Sequence, residues 1–321
     1  MFLKLENLQP SGSFKSRGIG NLIRQALMTS NEPNRVHFYS SSGGNAGLAC
    51  VTAARSLDRP ATVVVPTSTK PMMIAKIRTA GASRVVQHGN SWAEADKFLR
   101  EEVLADDPYG VYVPPFDHDD VRFGASTIVE ELEERPDAIV CSVGGGGLFS
   151  GIQLGLEARG WGDVSILAME TEGAESLSMS LKEGELVTLP AITSIATSLG
   201  AKRVAQKTFD LGKRRNVRSV VLSDAEAAMG CWRLADDERL IVEPACGVSL
   251  AVCYDGRLKQ LLPKLTNESK IVVIVCGGSD ITLDMLMDYR KKYVDIERMT
   301  TSDRNVPSTL SGPHEARNDS V

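Results

Sequence analysis

AIVCSVGGGGLFSG, residues 138–151, joins an unbroken apolar run to four consecutive glycines and then to a segment with helical apolar spacing. That order predicts a buried strand, a turn of bare backbone and a helix. A strand without polar alternation suits a sheet covered on both faces. Each glycine adds chain entropy that folding must remove, and four in a row exceed what a tight turn requires. Their N–H groups, at the positive end of the following helix, form a socket suited to a phosphate dianion.

The same strand, turn and helix rhythm extends outward in both directions. Strands are predicted over 35–40, 61–66, 83–88 and 110–114 on one side, and over 165–170, 218–223 and 271–276 on the other. Helical spacing covers 16–29, 45–57, 71–80, 91–105, 121–134, 148–159, 224–237, 247–262 and 280–293. Val- and Ile-rich strands alternating with helices imply βαβ units, hence an α/β fold of two lobes with twisted, mostly parallel sheets. Pro114-Pro115 and the acidic run Asp117-His118-Asp119-Asp120 mark a break. A small lobe over 40–116 is therefore expected to interrupt a large one built from 1–39 and 117–297. Residues 298–321 are polar and patternless, and disorder is expected there.

Bulk properties narrow the function. A net charge of −5 argues against nucleic acid and anionic membranes as partners. No apolar run approaches the roughly 18 residues of a membrane span, and the start, MFLKLENLQP, lacks the pattern of a secretory signal. Cys50, Cys141, Cys231, Cys246, Cys253 and Cys276 include no CxxC pair, so reduced thiols and a cytoplasmic location are expected. Asp117 to Asp120 read as a solvated loop, His37 and His88 as structural, and Cys246 as a packed thiol.

Two further strand ends resemble the glycine socket. VHFYSSSGGNAGL (36–48) offers hydroxyls, Asn45 and backbone donors at a helix start, suited either to a carboxylate or to a simple N-cap. IVVIVCGGSD (271–280) ends a strand at Cys276 and opens through two glycines. All three would share the carboxyl edge of a sheet, where open α/β folds bind ligands. In QPSGSFKSRG (9–18), Lys15 precedes a helix, and beside a phosphate socket its amine could bond a phosphorylated aldehyde. Desolvation near a cation such as Arg17 would lower its pKa. No GK[ST] follows the glycines, and Phe149 and Ser150 stand where a dinucleotide fingerprint has its last glycine.

PSGSFKSRG (10–18), SSGGNAG (41–47), SVGGGGL (142–148) and VCGGS (275–279) together resemble the serine/threonine dehydratases, pyridoxal-phosphate enzymes of fold type II. The likeness is greatest to the short eukaryotic L-serine dehydratases. VYVPPFD (111–117), AMETEGA (168–174), PAITSIATSLG (190–200) and VEPACG (242–247) extend it over residues 2–295.

The resemblance implies elimination and deamination of L-serine to pyruvate and ammonia, with L-threonine to 2-oxobutanoate as a second reaction. It implies that Lys15 carries the cofactor aldehyde and takes the Cα proton, that Phe14 packs on the ring, and that Asn45 meets the ring hydroxyl. Gly144, Gly145, Gly146 and Gly147 would hold the phosphate, and Cys276 would face the ring nitrogen. Ser42, Gly43, Asn45 and Ala46 would hold the substrate carboxylate, with Ser42 counted among the catalytic residues. A monovalent cation, typically potassium, would be held by the Glu170 side chain and main-chain oxygens of Gly144, Ala174, Leu199 and Ala201. A homodimer is also implied. Family members usually carry a longer stretch before the lysine motif, so a strand and some cofactor-side packing are expected to be missing. Gly43 and Ser198 stand where liver-type enzymes often have alanine. Three other readings stay open: a β-replacement enzyme of the cysteine synthase type, a catalytically silent cofactor-binding module, and a nucleotide-dependent dehydrogenase.

Overall fold

The computed structural model describes residues 1–254, 256–298 and 309–311. The chain opens with β1 (Phe2–Leu5) and α1 (Lys15–Thr29), then β2 (His37–Ser40) and α2 (Asn45–Ser56). There follow β3 (Ala61–Val65), α3 (Pro71–Thr79), β4 (Arg84–Gln87), α4 (Trp92–Phe98) and β5 (Gly110–Tyr112). Next come α5 (Asp119–Glu130), β6 (Ala138–Ser142), α6 (Gly147–Ala158), β7 (Ser165–Thr171), α7 (Ser176–Glu183) and α8 (Gln206–Gly212). The last part holds β8 (Val217–Leu222), α9 (Asp224–Glu238), α10 (Pro244–Tyr254), α11 (Leu258–Leu261), β9 (Ile271–Val275), α12 (Leu283–Lys292) and β10 (Thr309–Ser311).

The strands fall into two sheets. One has the order β1-β9-β6-β7-β8-β10 and the other β4-β3-β2-β5. Every pairing is parallel except that of β10 with β8. β6 is flanked by β9, through Ala138 opposite Ile271, and by β7, through Ala138 opposite Ser165. β3, β6 and β9 are buried along their whole length, as apolar runs without alternation require. Side chains such as Ile139, Ile166 and Ile152 contribute about 1.5–3 kcal/mol each when removed fully from water. Ile19, Leu22 and Ile23 of α1 belong to the apolar cluster of the four-stranded sheet, although α1 precedes it in the chain. Among the described residues, no helix is long and apolar enough to cross a membrane.

All the strands expected from the sequence are present, within a residue or two at their ends. Some expectations need correcting. β1, α7 and α8 carry no clear periodic signal and were not foreseen. The single helix expected over 247–262 is two, α10 and α11, separated at Gly256. Helix 91–105 is α4 continued by a wider turn over Leu99–Val103. Within the tail expected to be patternless, Thr309–Ser311 pairs antiparallel with β8; 299–308 and 312–321 lie outside the described residues.

The polar loop before α5 is structural. His118 Nδ1 accepts the Asp120 N–H at 3.1 Å, capping the helix, while Asp117 and Asp119 each hold Arg122 at 2.7 Å. His37 bonds Thr62 at 2.9 Å, and His88 stacks on Phe98. The topology also places the chemistry. Because β6 and β9 are parallel neighbours, the glycine turn after β6 and Cys276 after β9 emerge side by side.

Candidate active site

The approach to α1 is pinned to the end of β9. The Phe14 N–H donates to the Cys276 carbonyl at 3.1 Å, and the Gly278 N–H donates to the Gly12 carbonyl at 2.9 Å. Lys15, the first residue of α1, is thereby held beside Cys276. Its Nζ donates to the Pro115 carbonyl at 2.5 Å and lies 5.1 Å from the centre of the Phe14 ring. Burial lowers the Lys15 pKa to about 8, against the opposing pull of Cys276 and Glu243. Arg17, expected to drive that shift, does not take part. Its guanidinium is engaged by Glu6 at 2.7 Å, Glu131 at 2.6 Å and Thr127 at 2.9 Å. Desolvation alone lowers the proton affinity of the amine.

Phe116, next to the carbonyl that receives Lys15, lies against the glycine turn. A Cβ on Gly145 would come within 2.4 Å of the Phe116 ring, and one on Gly147 within 3.3 Å of its side chain. The turn then enters α6 through Gly146, at φ +97°. A Cβ there would lie 1.9 Å from Thr208 Oγ1, so both the backbone and the space demand glycine. Ser91, His118, Ser223 and Thr282 cap their helices, but α6 has no side-chain cap. Its buried first turn therefore presents backbone donors to an incoming anion.

Behind the turn, Cys276 Sγ sits 3.6 Å from Ser142 Oγ and is nearly inaccessible. Two hydrogen-bonding groups from adjacent strands thus share one position at the back of the site. Cys246 lies in the same region, where burial pushes its pKa well above the ordinary thiol range, so it is a packed thiol and no nucleophile.

The loop from β2 to α2 forms the opposite wall. Gly44 N–H donates to Ser42 Oγ at 3.3 Å, and α2 starts at Asn45 without a side-chain cap. Ala46 is buried, and a Cβ on Gly43 would meet Thr69 Cγ2 at 2.6 Å. Asp96, which sequence reasoning missed, fixes this loop from behind. Ser41 Oγ donates to it at 2.7 Å and Tyr112 OH at 2.5 Å.

Glu243 is the second residue missed. Its buried carboxylate accepts from Asn45 Nδ2 at 2.8 Å and from the Asp280 N–H at 3.1 Å. Asn45 Oδ1 accepts the Ser279 N–H at 2.8 Å, and Asn45 Nδ2 also reaches Ser198 Oγ at 3.3 Å. The only signal in sequence was an acidic residue inside the apolar VEPACG segment.

Glu170, at the end of β7, accepts the Leu177 and Ser178 N–H groups at 2.8 Å each, capping α7. Burial raises its pKa to about 8 despite those bonds. Gly144 lies against Leu199, and the Leu199 carbonyl accepts the Ala201 N–H at 2.7 Å. Ala174 is buried just beyond β7, its N–H donating to Thr171 at 2.9 Å.

Comparison with known proteins agrees with this geometry. The family model for pyridoxal-phosphate dependent enzymes matches residues 1–277. An L-serine dehydratase of Saccharomyces cerevisiae (strain AWRI1631) is 46% identical over 304 residues, covering 88% of this chain and 89% of the relative. The L-serine dehydratase/L-threonine deaminase of Bos taurus is 43% identical over 298 residues, covering 91% and 89%. Among solved structures, the fungal L-serine ammonia-lyase from Rhizomucor miehei superposes with a TM-score of 0.84 at 39% identity, covering 91% of this chain and 92% of that one. A lysine set between a thiol-ended strand and an uncapped glycine turn, on a chain matched over this length, places the protein in a single family: it belongs to the pyridoxal-phosphate dependent enzymes, within the fold type II group of serine and threonine dehydratases.

Proposed function

We propose that this chain removes water and then ammonia from L-serine, releasing pyruvate, and acts in the same way on L-threonine to give 2-oxobutanoate. One observation carries the reading: Lys15, with its pKa lowered to about 8, is joined through Pro115 and Phe116 to the glycine turn. The residues fit pyridoxal phosphate. The uncapped, buried start of α6 suits its phosphate, and adding a Cβ at Gly145 or Gly146 would fill the cradle. When bound, the cofactor supplies an electron sink that acidifies the Cα–H of an amino acid.

Gly144, Gly145, Gly146 and Gly147 would hold the phosphate, Phe14 would pack on the ring, and Asn45 would meet the ring hydroxyl. Cys276 would face the ring nitrogen, where sulfur offers a weaker hydrogen-bonding partner than a carboxylate. Ser42, Gly43, Asn45 and Ala46, at the start of α2, would receive the substrate carboxylate. Lys15 Nζ takes the Cα proton, and departure of the β-hydroxyl leaves an enamine that hydrolyses in water to the oxo acid and ammonia.

A monovalent cation such as potassium belongs to the same proposal, bound by Glu170 with carbonyls of Gly144, Ala174, Leu199 and Ala201. A fully buried carboxylate lacking a cationic partner among the described ion pairs supports it. Residence in the cytoplasm is proposed because the cysteines are free thiols. Assembly as a homodimer completes the proposal, and sedimentation would test it.

The decisive assay supplies the purified protein with pyridoxal phosphate and L-serine. Pyruvate and ammonia should appear in equal amounts, L-threonine should yield 2-oxobutanoate, and added sulfide should divert nothing to cysteine. A preparation that forms no oxo acid would end the reading.

A further inference from the structure

Four segments far apart in sequence converge on one carboxylate. Glu243 begins the approach to α10, and its own carbonyl accepts the Cys246 and Gly247 N–H groups at 2.8 and 3.0 Å, so its main chain is fixed. Its side chain takes hydrogen bonds from Asn45 at the start of α2 and from the Asp280 N–H after β9, and the Ser198 hydroxyl, which accepts from the same Asn45 amide at 3.3 Å, favours its charged form. It lies under Gly278, where φ is +118° and a Cβ would come 2.0 Å from the Glu243 carboxyl carbon. The fourth segment is the start of α1, where Lys15 feels its charge.

The second amide atom of Asn45 is also committed, since Oδ1 accepts the Ser279 N–H at 2.8 Å. Lys70 of the small sheet side bonds Asp280 at 2.8 Å, and Lys76 donates to the Ser279 carbonyl. The Ser279–Asp280 corner is thus gripped from one side by Asn45, Lys70 and Lys76, and from the other by Glu243. A carboxylate accepts at both oxygens, so it can satisfy the Asn45 amide and the Asp280 N–H together. An uncharged amide of the same shape must turn a donor toward one of them.

We propose that Glu243 is a positioning residue for the elimination, the shared anchor that holds the Asn45 amide, the Ser198 hydroxyl and the Ser279–Asp280 corner in one arrangement around the Lys15 amine. The inference rests on the dehydratase reading for its activity measurements but not for its spectroscopic one. Burial raises the Glu243 pKa to about 7, the hydrogen bonds from Ser198, the Asp280 N–H and Asn45 opposing the rise and the Asp280 charge adding to it. Around it stand Lys15 on α1, Cys231 on α9, Cys276 after β9 and Asp280, which Lys70 partly neutralises. The anchor therefore works with its charge present and weakens as pH falls through about 7.

The test compares wild type, Glu243→Gln and Ser198→Ala as holoenzymes. Two profiles are recorded against pH: kcat/KM for serine, and the visible circular dichroism of the bound cofactor, which reports how the ring is held. Wild type should lose both signals on acidification around pH 7. Glu243→Gln should have a pH-independent dichroism in that range and a kcat/KM lowered about tenfold, the loss expected for one charge-assisted hydrogen bond. Ser198→Ala removes a hydroxyl that favours the charged form, so its acid limb should move to higher pH. The proposal is overturned if Glu243→Gln keeps the wild-type dichroism and acid limb, or if the Ser198→Ala limb stays in place or moves down. Should Glu243→Gln fail to fold, the Ser198→Ala limb alone decides. If wild type forms no pyruvate, the dehydratase reading fails while the dichroism still judges the anchor.

Discussion

Replacing Gly146 by alanine probes the phosphate turn at its tightest point, and its effect separates into two parts. Gly146 has φ +97°, and holding an alanine there should cost about 1–2 kcal/mol of backbone strain. The added methyl would sit 1.9 Å from Thr208 Oγ1, 2.3 Å from Thr208 Cγ2 and 2.5 Å from Thr208 Cβ. Thr208 cannot simply swing aside, because its hydroxyl is shared with Ser150 at 3.0 Å inside the core. Overpacking of this kind costs about 1–3 kcal/mol. The total of about 2–5 kcal/mol should appear as a lower urea midpoint with an unchanged slope. Cofactor uptake, followed by visible absorbance, should weaken with it. Thr208→Ala removes the clash but not the strain, so a double-mutant cycle should give a favourable coupling of about 1–3 kcal/mol. Additivity of the two substitutions within about 0.5 kcal/mol would refute the steric argument.

Lys15→Ala should abolish both visible absorbance of bound cofactor and pyruvate formation; turnover surviving in that variant contradicts the assignment of the amine. Potassium should raise the thermal midpoint more at pH 8 than at pH 6, and Glu170→Gln should erase that response. The sign follows from a folded pKa of about 8 against the usual 4.5: without a cation, stability is lost as pH rises through this interval, and a cation relieves that loss. An equal potassium response at both pH values would remove Glu170 from the proposal. Arg17→Ala leaves Glu6 buried without its partner and should destabilise by about 3–5 kcal/mol, whereas Glu131→Ala, at an exposed pair, should cost about 1 kcal/mol or less. Chemical denaturation distinguishes them, and equal losses would mean that burial does not govern the network.

The parts of the molecule legible in its sequence are those whose signal is local. β3, β6 and β9 are buried on both faces and show it as unbroken Val and Ile runs. β1 is an edge strand of four residues with exposed Phe2 and Leu3, and its FLKL pattern carries too little periodicity. The serine-rich α7 and the seven-residue α8 fail for the same reason. Within the site, the glycine turn announced itself because glycine limits backbone and space directly. Asp96 and Glu243 did not, since their partners lie on remote segments: Ser41 and Tyr112 for one, Asn45, Ser198 and Asp280 for the other. Arg17 misled because it stands two residues from Lys15 in the chain, while folding gives it to Glu6 and Glu131.

The Pro115 carbonyl that receives the Lys15 ammonium lies on the return path from β5, the edge strand of the four-stranded sheet. Any tilt of that sheet therefore moves an oxygen dipole relative to the nitrogen. The nitrogen on α1 and the oxygen that meets it are thus carried by different sheets' connections, and their meeting depends on how the chain returns from β5.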